Sequence, residues 1–218
     1  MPSKQLVIFD LDGTLIDSKL DLAHAVNAAR AHMGSGPLGF ELIYSYVGNG
    51  APVLIRRAMG PSASEADVER ALAYFLIWYG DHKLDNTCLY PGVRDALDRL
   101  HAAGIPLAIL TNKPVRISQA IVNGLGVGEH FFRVYGGNSF PEKKPNPIGV
   151  QTLLEESGVE QAQALVVGDS AVDVRTARNA GVQVYGVTYG FAPETFEQDP
   201  PDLSFATMGA LADCLLGQ

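Results

Sequence analysis

The sequence predicts an α/β protein in which a doubly wound, Rossmann-like parallel sheet carries an inserted helical segment. Along most of the chain, short apolar runs alternate with helical patterns, as they do in β-α-β units. The runs are apolar without a break, which is expected of parallel strands that helices cover on both faces. Between residues 16 and 87 the strand-like runs disappear and only helical spacing remains. This segment is therefore predicted to be an insert in the sheet-forming core.

The first predicted strand, residues 5–9, leads directly from an apolar run into two acids, Asp10 and Asp12. A carboxylate at the end of a buried strand is costly unless a cation compensates its charge, so a cation is expected nearby. Further strands are predicted at 105–110, 164–167 and 182–187 and helices at 115–125 and 171–180, within a core of residues 1–15 and 88–218.

The insert, residues 16–87, is predicted to consist of helices. Apolar side chains between Leu22 and Met33 recur at helical spacing. Ser64, with Asp67 three residues later, has the form of a capping box and predicts the start of another helix. Turns that contain glycine and proline separate these helical patterns.

Composition excludes several classes of partner. The 218 residues carry a formal net charge of -8, which argues against a nucleic-acid surface. The only cysteines, Cys88 and Cys214, lie far apart and are predicted to be free thiols. No apolar run approaches the roughly 20 residues that a membrane span requires, and no secretory signal is recognisable. We therefore expect a cytoplasmic protein that binds neither membrane nor nucleic acid.

Four polar clusters follow the predicted strands, at the sheet edge where open α/β folds bind ligands. Each cluster alone has a structural explanation: an Asp-Gly turn, a helix cap, or a solvated lysine pair. Chance capping does not account for two acid pairs, a hydroxyl and a cation at one edge. The clusters are Asp10 and Asp12; Thr111, Asn112 and Lys113; Lys143 and Lys144 beside Pro145 and Pro147; and Asp169, Ser170 and Asp173.

In this order, the clusters resemble the four motifs of the haloacid dehalogenase superfamily, in its phosphatase branch, over nearly the whole chain. Asp10 and Asp12 match the first motif, Thr111 the second, Lys144 the third, and residues 168–173 the fourth. The resemblance implies that the helical insert is a cap domain that closes over an active site. Within the superfamily, the sequence is most similar to the phosphoglycolate phosphatases, through residues 17–18, 75–82, 90–93 and 111–114.

The resemblance implies a phosphoric monoester hydrolase that acts on a small phosphorylated metabolite, 2-phosphoglycolate. Asp10 would be the nucleophile that forms an aspartyl phosphate, and Asp12 the general acid and base. Mg²⁺ would be the cofactor, because every candidate ligand is a hard oxygen. Its ligands would be Asp10, the main-chain carbonyl of Asp12, and Asp169.

The remaining site residues have supporting roles in this scheme. Thr111, Asn112 and Lys144 would bind the phosphoryl group. Asp173 would position Lys144 or a metal-bound water, and Ser170 would either bind phosphate or cap its helix. In the cap, Gly48 and Arg56 would contact the rest of the substrate, in particular a carboxylate.

Other activities of the superfamily remain as alternatives. A dehalogenase or a phosphonate hydrolase would not require the acid at Asp12. A sugar phosphomutase of this branch usually has a cap histidine twelve residues after the nucleophile, where this chain has Leu22. Another small-molecule phosphatase is compatible with all four motifs. A non-catalytic binding protein on this scaffold is disfavoured because every motif residue is retained.

Overall fold

The computed structural model describes residues 5–218, which form two compact units. One unit runs up to Asp17 and resumes from Leu89 to Gln218, and the other is Ser18–Cys88. From the sequence, the helical insert was predicted to comprise residues 16–87. Both cysteines are free thiols, as predicted.

The described chain alternates strands and helices in the order expected of β-α-β units. The strands are β1 (Leu6–Phe9), β2 (Ile16–Asp17), β3 (Cys88–Leu89), β4 (Leu107–Leu110), β5 (Phe131–Tyr135), β6 (Ala164–Gly168), β7 (Gln183–Val187) and β8 (Leu203–Phe205). The helices are α1 (Lys19–His32), α2 (Phe40–Tyr44), α3 (Ala51–Met59), α4 (Glu65–His82), α5 (Val93–Ala102), α6 (Val115–Gly124), α7 (Ile148–Ser157), α8 (Ala171–Ala180) and α9 (Met208–Leu216). None of the helices within residues 5–218 combines the length and apolar composition that a membrane crossing requires.

Six parallel strands form the sheet of the first unit, in the order β5-β4-β1-β6-β7-β8. Strand β1 lies at the centre, with β4 and β5 on one side and β6 to β8 on the other. The chain direction across the sheet therefore reverses at β1, and this switch point is where open α/β sheets bind ligands. The prediction of a doubly wound parallel sheet is confirmed.

Two apolar layers cover the sheet, one on each face. Because side chains alternate along a strand, Val7 and Phe9 of β1 enter one layer and Leu6 and Ile8 enter the other. The first layer is completed by α5, α6 and α9, and the second by α7 and α8. These two layers hold the central strands in register and so fix the positions at which they end.

The two outer strands, β5 and β8, were not predicted from the sequence. Both have polar or exposed residues, in contrast to the fully buried β1, β4 and β6. An edge strand is covered on fewer sides, so an unbroken apolar run is not required of it. The unbroken apolar runs that identified the central strands therefore did not identify the two edge strands.

The second unit is helical, and Ser64 caps the start of α4 as predicted. Helix α1 packs against α4, with Leu22, Val26 and Ala29 buried. At the start of α4, the Ser64 hydroxyl accepts a hydrogen bond of 3.1 Å from the main-chain N–H of Asp67. The predicted apolar stripe therefore faces the interior of this unit.

A buried carboxylate ties together the two ends of the second unit. Asp21, on α1, accepts four hydrogen bonds of 2.7 to 3.0 Å from the main-chain and side-chain donors of Asn86 and Thr87. Burial alone would raise the pKa of Asp21, but these hydrogen bonds outweigh burial and lower the pKa below its usual value. The ionised carboxylate therefore stabilises the folded unit.

We predict that Asp21→Ala lowers the free energy of unfolding of this unit by about 3 kcal/mol at neutral pH, because it leaves buried donors without an acceptor. The only tryptophan, Trp78, lies in α4, so its fluorescence during urea unfolding reports on this unit. Since folding lowers the pKa of Asp21, its stabilisation is complete above the usual aspartate range and disappears as the pH falls through the lowered value.

The matched control is Asp81→Ala, at an exposed position of the same helical unit. It should change the free energy of unfolding by no more than about 0.5 kcal/mol. An equal loss in both variants, or a loss in Asp21→Ala that does not diminish in acid, would contradict the role assigned to Asp21.

Candidate active site

Three neighbouring strands deliver the polar clusters to one edge of the sheet. Phe9 of β1 pairs with both Ile109 of β4 and Val167 of β6. Because the strands are parallel and in this register, the residues that follow them leave the sheet at the same level. Asp10 and Asp12 come after β1, Thr111 to Lys113 after β4, and Asp169 after β6.

Three acids converge in this region. Carboxylate oxygens of Asp10, Asp169 and Asp173 all lie within 4.8 Å of one another. Burial raises the pKa of Asp10 to about 6, a rise that Lys144 opposes and Asp173 augments. Burial, followed by the charges of Asp173 and Asp10, also raises the pKa of Asp169 well above its usual value. Both shifts arise chiefly because burial disfavours the ionised forms, and repulsion between neighbouring carboxylates adds to them.

This acid cluster has the chemistry of a cation site. The Oδ1 atom of Asp10 is buried and has no hydrogen-bond donor among the described residues. Lys144 Nζ lies 2.9 Å from that oxygen, within ion-pair distance but at an angle unsuited to a hydrogen bond. Hard carboxylate oxygens of this kind favour Mg²⁺ or a similar divalent ion. The three acids can therefore hold a metal ion.

Lys144 bridges two of the acids. Its Nζ lies 2.9 Å from Asp10 Oδ1 and donates a hydrogen bond of 2.6 Å to Asp173 Oδ1. Burial alone would lower the pKa of Lys144, but the two carboxylates raise it above its usual value. Lys144 is therefore held as a buried cation beside Asp10, and Asp173 fixes its position.

Ser170 and Asp173 form the N-terminal cap of α8. The main-chain N–H and the hydroxyl of Ser170 both donate to Asp173 Oδ2, at 3.2 and 2.8 Å. Ser170 was expected either to bind phosphate or to cap its helix, and these contacts are those of a helix cap. The cap also orients Asp173, whose other oxygen accepts from Lys144.

Two glycines allow the chain to enclose Asp169. Gly13 has φ of +84°, and a β-carbon there would collide with the Asp169 carboxylate. A β-carbon at Gly190 would collide with the Asp169 side chain and with the Gly13 carbonyl. The loop after Gly190 then donates to Asp169 Oδ2 from the Phe191 N–H at 2.6 Å. The sequence analysis did not identify Gly190; a glycine soon after the last predicted strand was the available signal.

Thr111 and Asn112 are buried beside these groups. The Thr111 hydroxyl accepts a 3.3 Å hydrogen bond from the main-chain N–H of Lys113. The Asn112 side-chain amide donates at 3.2 Å to the main-chain carbonyl of Lys144. Asn112 thus connects the loop after β4 with the segment that carries Lys144. That Thr111 and Asn112 bind a substrate stays a prediction.

Lys113 is a buried site residue to which the sequence analysis assigned no role. Its Nζ donates to both oxygens of the Asp12 carboxylate, at 2.9 and 3.0 Å. The side chain of Lys113 is only 3% exposed, and that of Asp12 is 15% exposed. The site therefore contains two buried lysines, of which Lys144 faces Asp10 and Asp173, and Lys113 faces Asp12.

Gly48 and Arg56 lie in the second unit, where Gly48 has φ of +113° in a loop. The guanidinium of Arg56 donates to the Ala63 carbonyl at 3.2 Å and forms an ion pair with Glu65. Arg56 also lines a cavity of about 560 Å³ with Arg57 and four residues of the surrounding turns. A substrate carboxylate at Arg56 would have to compete with Glu65. The substrate contacts expected of Gly48 and Arg56 stay predictions.

Known proteins are similar in sequence to this chain over most of its length. A protein from Pseudomonas putida KT2440 named phosphoglycolate phosphatase is 45% identical over 193 residues, which cover 86% of this chain and 70% of the relative. One of the same name from Vibrio vulnificus YJ016 is 39% identical over 221 residues, covering 97% of this chain and 96% of the relative.

The structure also matches known crystal structures. One of them, described as a predicted phosphoglycolate phosphatase from Haemophilus somnus 129pt, superposes with a TM-score of 0.91, at 35% identity, over 100% of both chains. The sequence profile of the haloacid dehalogenase-like hydrolases matches residues 7–187, which include all four motifs. The chain therefore belongs to the haloacid dehalogenase-like hydrolase family.

Proposed function

We propose that this chain is a Mg²⁺-dependent phosphatase that hydrolyses 2-phosphoglycolate through an aspartyl phosphate on Asp10. The prediction of a phosphoric monoester hydrolase is itself confirmed by the family and by the relatives. The observation that carries the finer proposal is the convergence of Asp10, Asp169 and Asp173 around an oxygen without a donor, with Lys144 alongside. The shared name of the relatives supports the choice of substrate.

Phosphoryl transfer requires a nucleophile, neutralisation of the phosphoryl oxygens, and a proton for the leaving oxygen. Mg²⁺ would be held by Asp10, Asp169 and the Asp12 main-chain carbonyl, and its charge would offset that of the phosphoryl group and of the acids. Lys144, a buried cation beside Asp10, supplies a second positive charge for the phosphoryl oxygens. Thr111 would donate its hydroxyl to the same group.

The reaction then proceeds in two transfers. An Asp10 oxygen attacks phosphorus while the bond to the leaving oxygen breaks, and Asp12 donates a proton to that oxygen. In the second transfer, Asp12 takes a proton from a water molecule that attacks the aspartyl phosphate. Inorganic phosphate leaves and the Asp10 carboxylate is restored. Asp12 thus returns to its initial protonation state after each cycle.

The phosphomutase alternative is less well supported. The position that carries a cap histidine in those enzymes is Leu22, which is buried inside the helical unit. A buried leucine cannot transfer a proton. The cytoplasmic location stays a prediction.

We expect Asp10→Asn to lower turnover by about a thousandfold or more, because an amide cannot replace the carboxylate nucleophile. The measurement is the initial rate with 2-phosphoglycolate and with 4-nitrophenyl phosphate in the presence of Mg²⁺. Rapid quenching of the wild-type reaction should also yield a phosphorylated peptide that contains Asp10. Asp95→Asn, on an exposed turn of α5, is the matched control and should retain wild-type rates.

Retained turnover in Asp10→Asn, or a phosphorylated peptide from elsewhere in the chain, would contradict the nucleophile assignment. Absence of hydrolysis by the wild type with every phosphate ester of a metabolite panel would contradict the proposed phosphatase.

The substrate assignment predicts a preference for a carboxylate. Wild-type kcat/KM should be higher for 2-phosphoglycolate than for ethyl phosphate, which replaces the carboxylate by a methyl group. If Arg56 contacts that carboxylate, Arg56→Ala should raise KM for 2-phosphoglycolate by about tenfold, the value of a charged hydrogen bond, and leave KM for ethyl phosphate unchanged. Arg70→Ala, at an exposed ion pair of α4, is the control.

An equal rise in KM for both esters would remove Arg56 from the carboxylate site. A wild-type preference for ethyl phosphate would contradict 2-phosphoglycolate as the substrate and leave the phosphatase reaction intact.

A further inference from the structure

Three of the four acids of the site pair with two lysines. Lys144 contacts Asp10 and Asp173, and Lys113 contacts Asp12 through both carboxylate oxygens. Among residues 5–218, the acids close enough to share a cation are Asp10, Asp169 and Asp173, and Asp12 is outside this group. The carboxylate of Asp12 is therefore separated from the metal-binding acids although only one residue stands between it and Asp10.

A specific interaction is required to keep the Asp12 carboxylate apart from the other acids. Asp12 is half-buried and stands two residues after Asp10, the carboxylate that contacts Lys144 and that would contact any bound cation. A carboxylate that turned toward the cation or toward Lys144 would be held beside the phosphoryl oxygens and would not face the leaving oxygen. Lys113 is buried, and its two hydrogen bonds fix both the direction and the plane of the Asp12 carboxylate.

We propose that Lys113 is a positioning residue for phosphoryl transfer, which holds the Asp12 carboxylate away from Lys144 and the cation and aimed for proton transfer. This inference rests on the proposed phosphatase function. Lys113 contacts Asp12 through both carboxylate oxygens, so its removal should affect the steps in which Asp12 transfers a proton. If the ion pair had a purely structural role, its removal would instead lower the stability of the protein and lower the rates with all substrates by the same factor.

Leaving groups distinguish these two roles. The alkoxide that departs from ethyl phosphate is a strong base and requires a proton as it leaves, a contribution of about 10²–10⁴ in rate. The 4-nitrophenolate ion departs without one. Loss of a correctly positioned Asp12 should therefore slow the first transfer from ethyl phosphate and hardly change the first transfer from 4-nitrophenyl phosphate.

The test compares Lys113→Met with Arg116→Met, a control at an exposed basic residue of α6. For Lys113→Met we expect about a hundredfold loss of kcat with ethyl phosphate, typical of a misplaced catalytic group. The pre-steady-state release of 4-nitrophenolate should change by less than about threefold. Arg116→Met should match the wild type with both esters.

A double-mutant cycle gives the second readout. In an Asp12→Asn background, Lys113→Met should change turnover by less than about threefold, because no carboxylate remains to be positioned. This double variant also removes both charges of the pair, and Lys113→Gln retains a donor should the methionine variant fail to fold. Equal losses in the first transfer from the two esters, or a full further loss in the Asp12→Asn background, would overturn the role of Lys113. A wild type that hydrolyses neither ester would instead overturn the proposed function.

Discussion

The burial of carboxylates at the carboxyl end of the central strand is the constraint on which the site depends. Burial disfavours the ionised acids, and repulsion between neighbouring carboxylates adds to this effect, so the pKa values of Asp10 and of Asp169 are raised. Two buried lysines compensate part of the charge. When all are ionised, the four acids and two lysines of the site carry a net charge of two negative units, which one divalent cation would balance. These six groups are Asp10, Asp12, Asp169, Asp173, Lys113 and Lys144.

The fold makes this arrangement possible by fixing where three strands end. Apolar layers on both faces hold β1 between β4 and β6, so the segments that follow them meet at the switch point of the sheet. Glycines then let main chain approach the acids, since side chains at Gly13 or Gly190 would occupy the space of Asp169. The energy that the apolar core contributes is what keeps mutually repelling groups together.

Much of this organisation follows from the sequence, because it depends on local patterns. Unbroken apolar runs identified the central strands, and acids directly after them located the site. The edge strands β5 and β8 were missed because partial exposure removes that pattern. Lys113 was grouped with Thr111 and Asn112 but given no role, because only its contact with Asp12 in the folded chain distinguishes it from a solvated lysine. Gly190 was missed because only the folded chain brings it against Asp169. The pairing of Arg56 with Glu65 is likewise a tertiary contact.

The central claim, that a divalent cation relieves the repulsion among the acids, is tested most directly by the thermal unfolding of Asp169→Asn with EDTA or with saturating Mg²⁺. Because folding raises the pKa of Asp169, its ionised form destabilises the metal-free protein at neutral pH. In EDTA, Asp169→Asn should unfold at a higher temperature than the wild type. Mg²⁺ at about a hundredfold its Kd should raise the Tm of the wild type by about 5–10 °C and leave the Tm of the variant unchanged. A variant less stable than the wild type in EDTA, with an undiminished response to Mg²⁺, would contradict it.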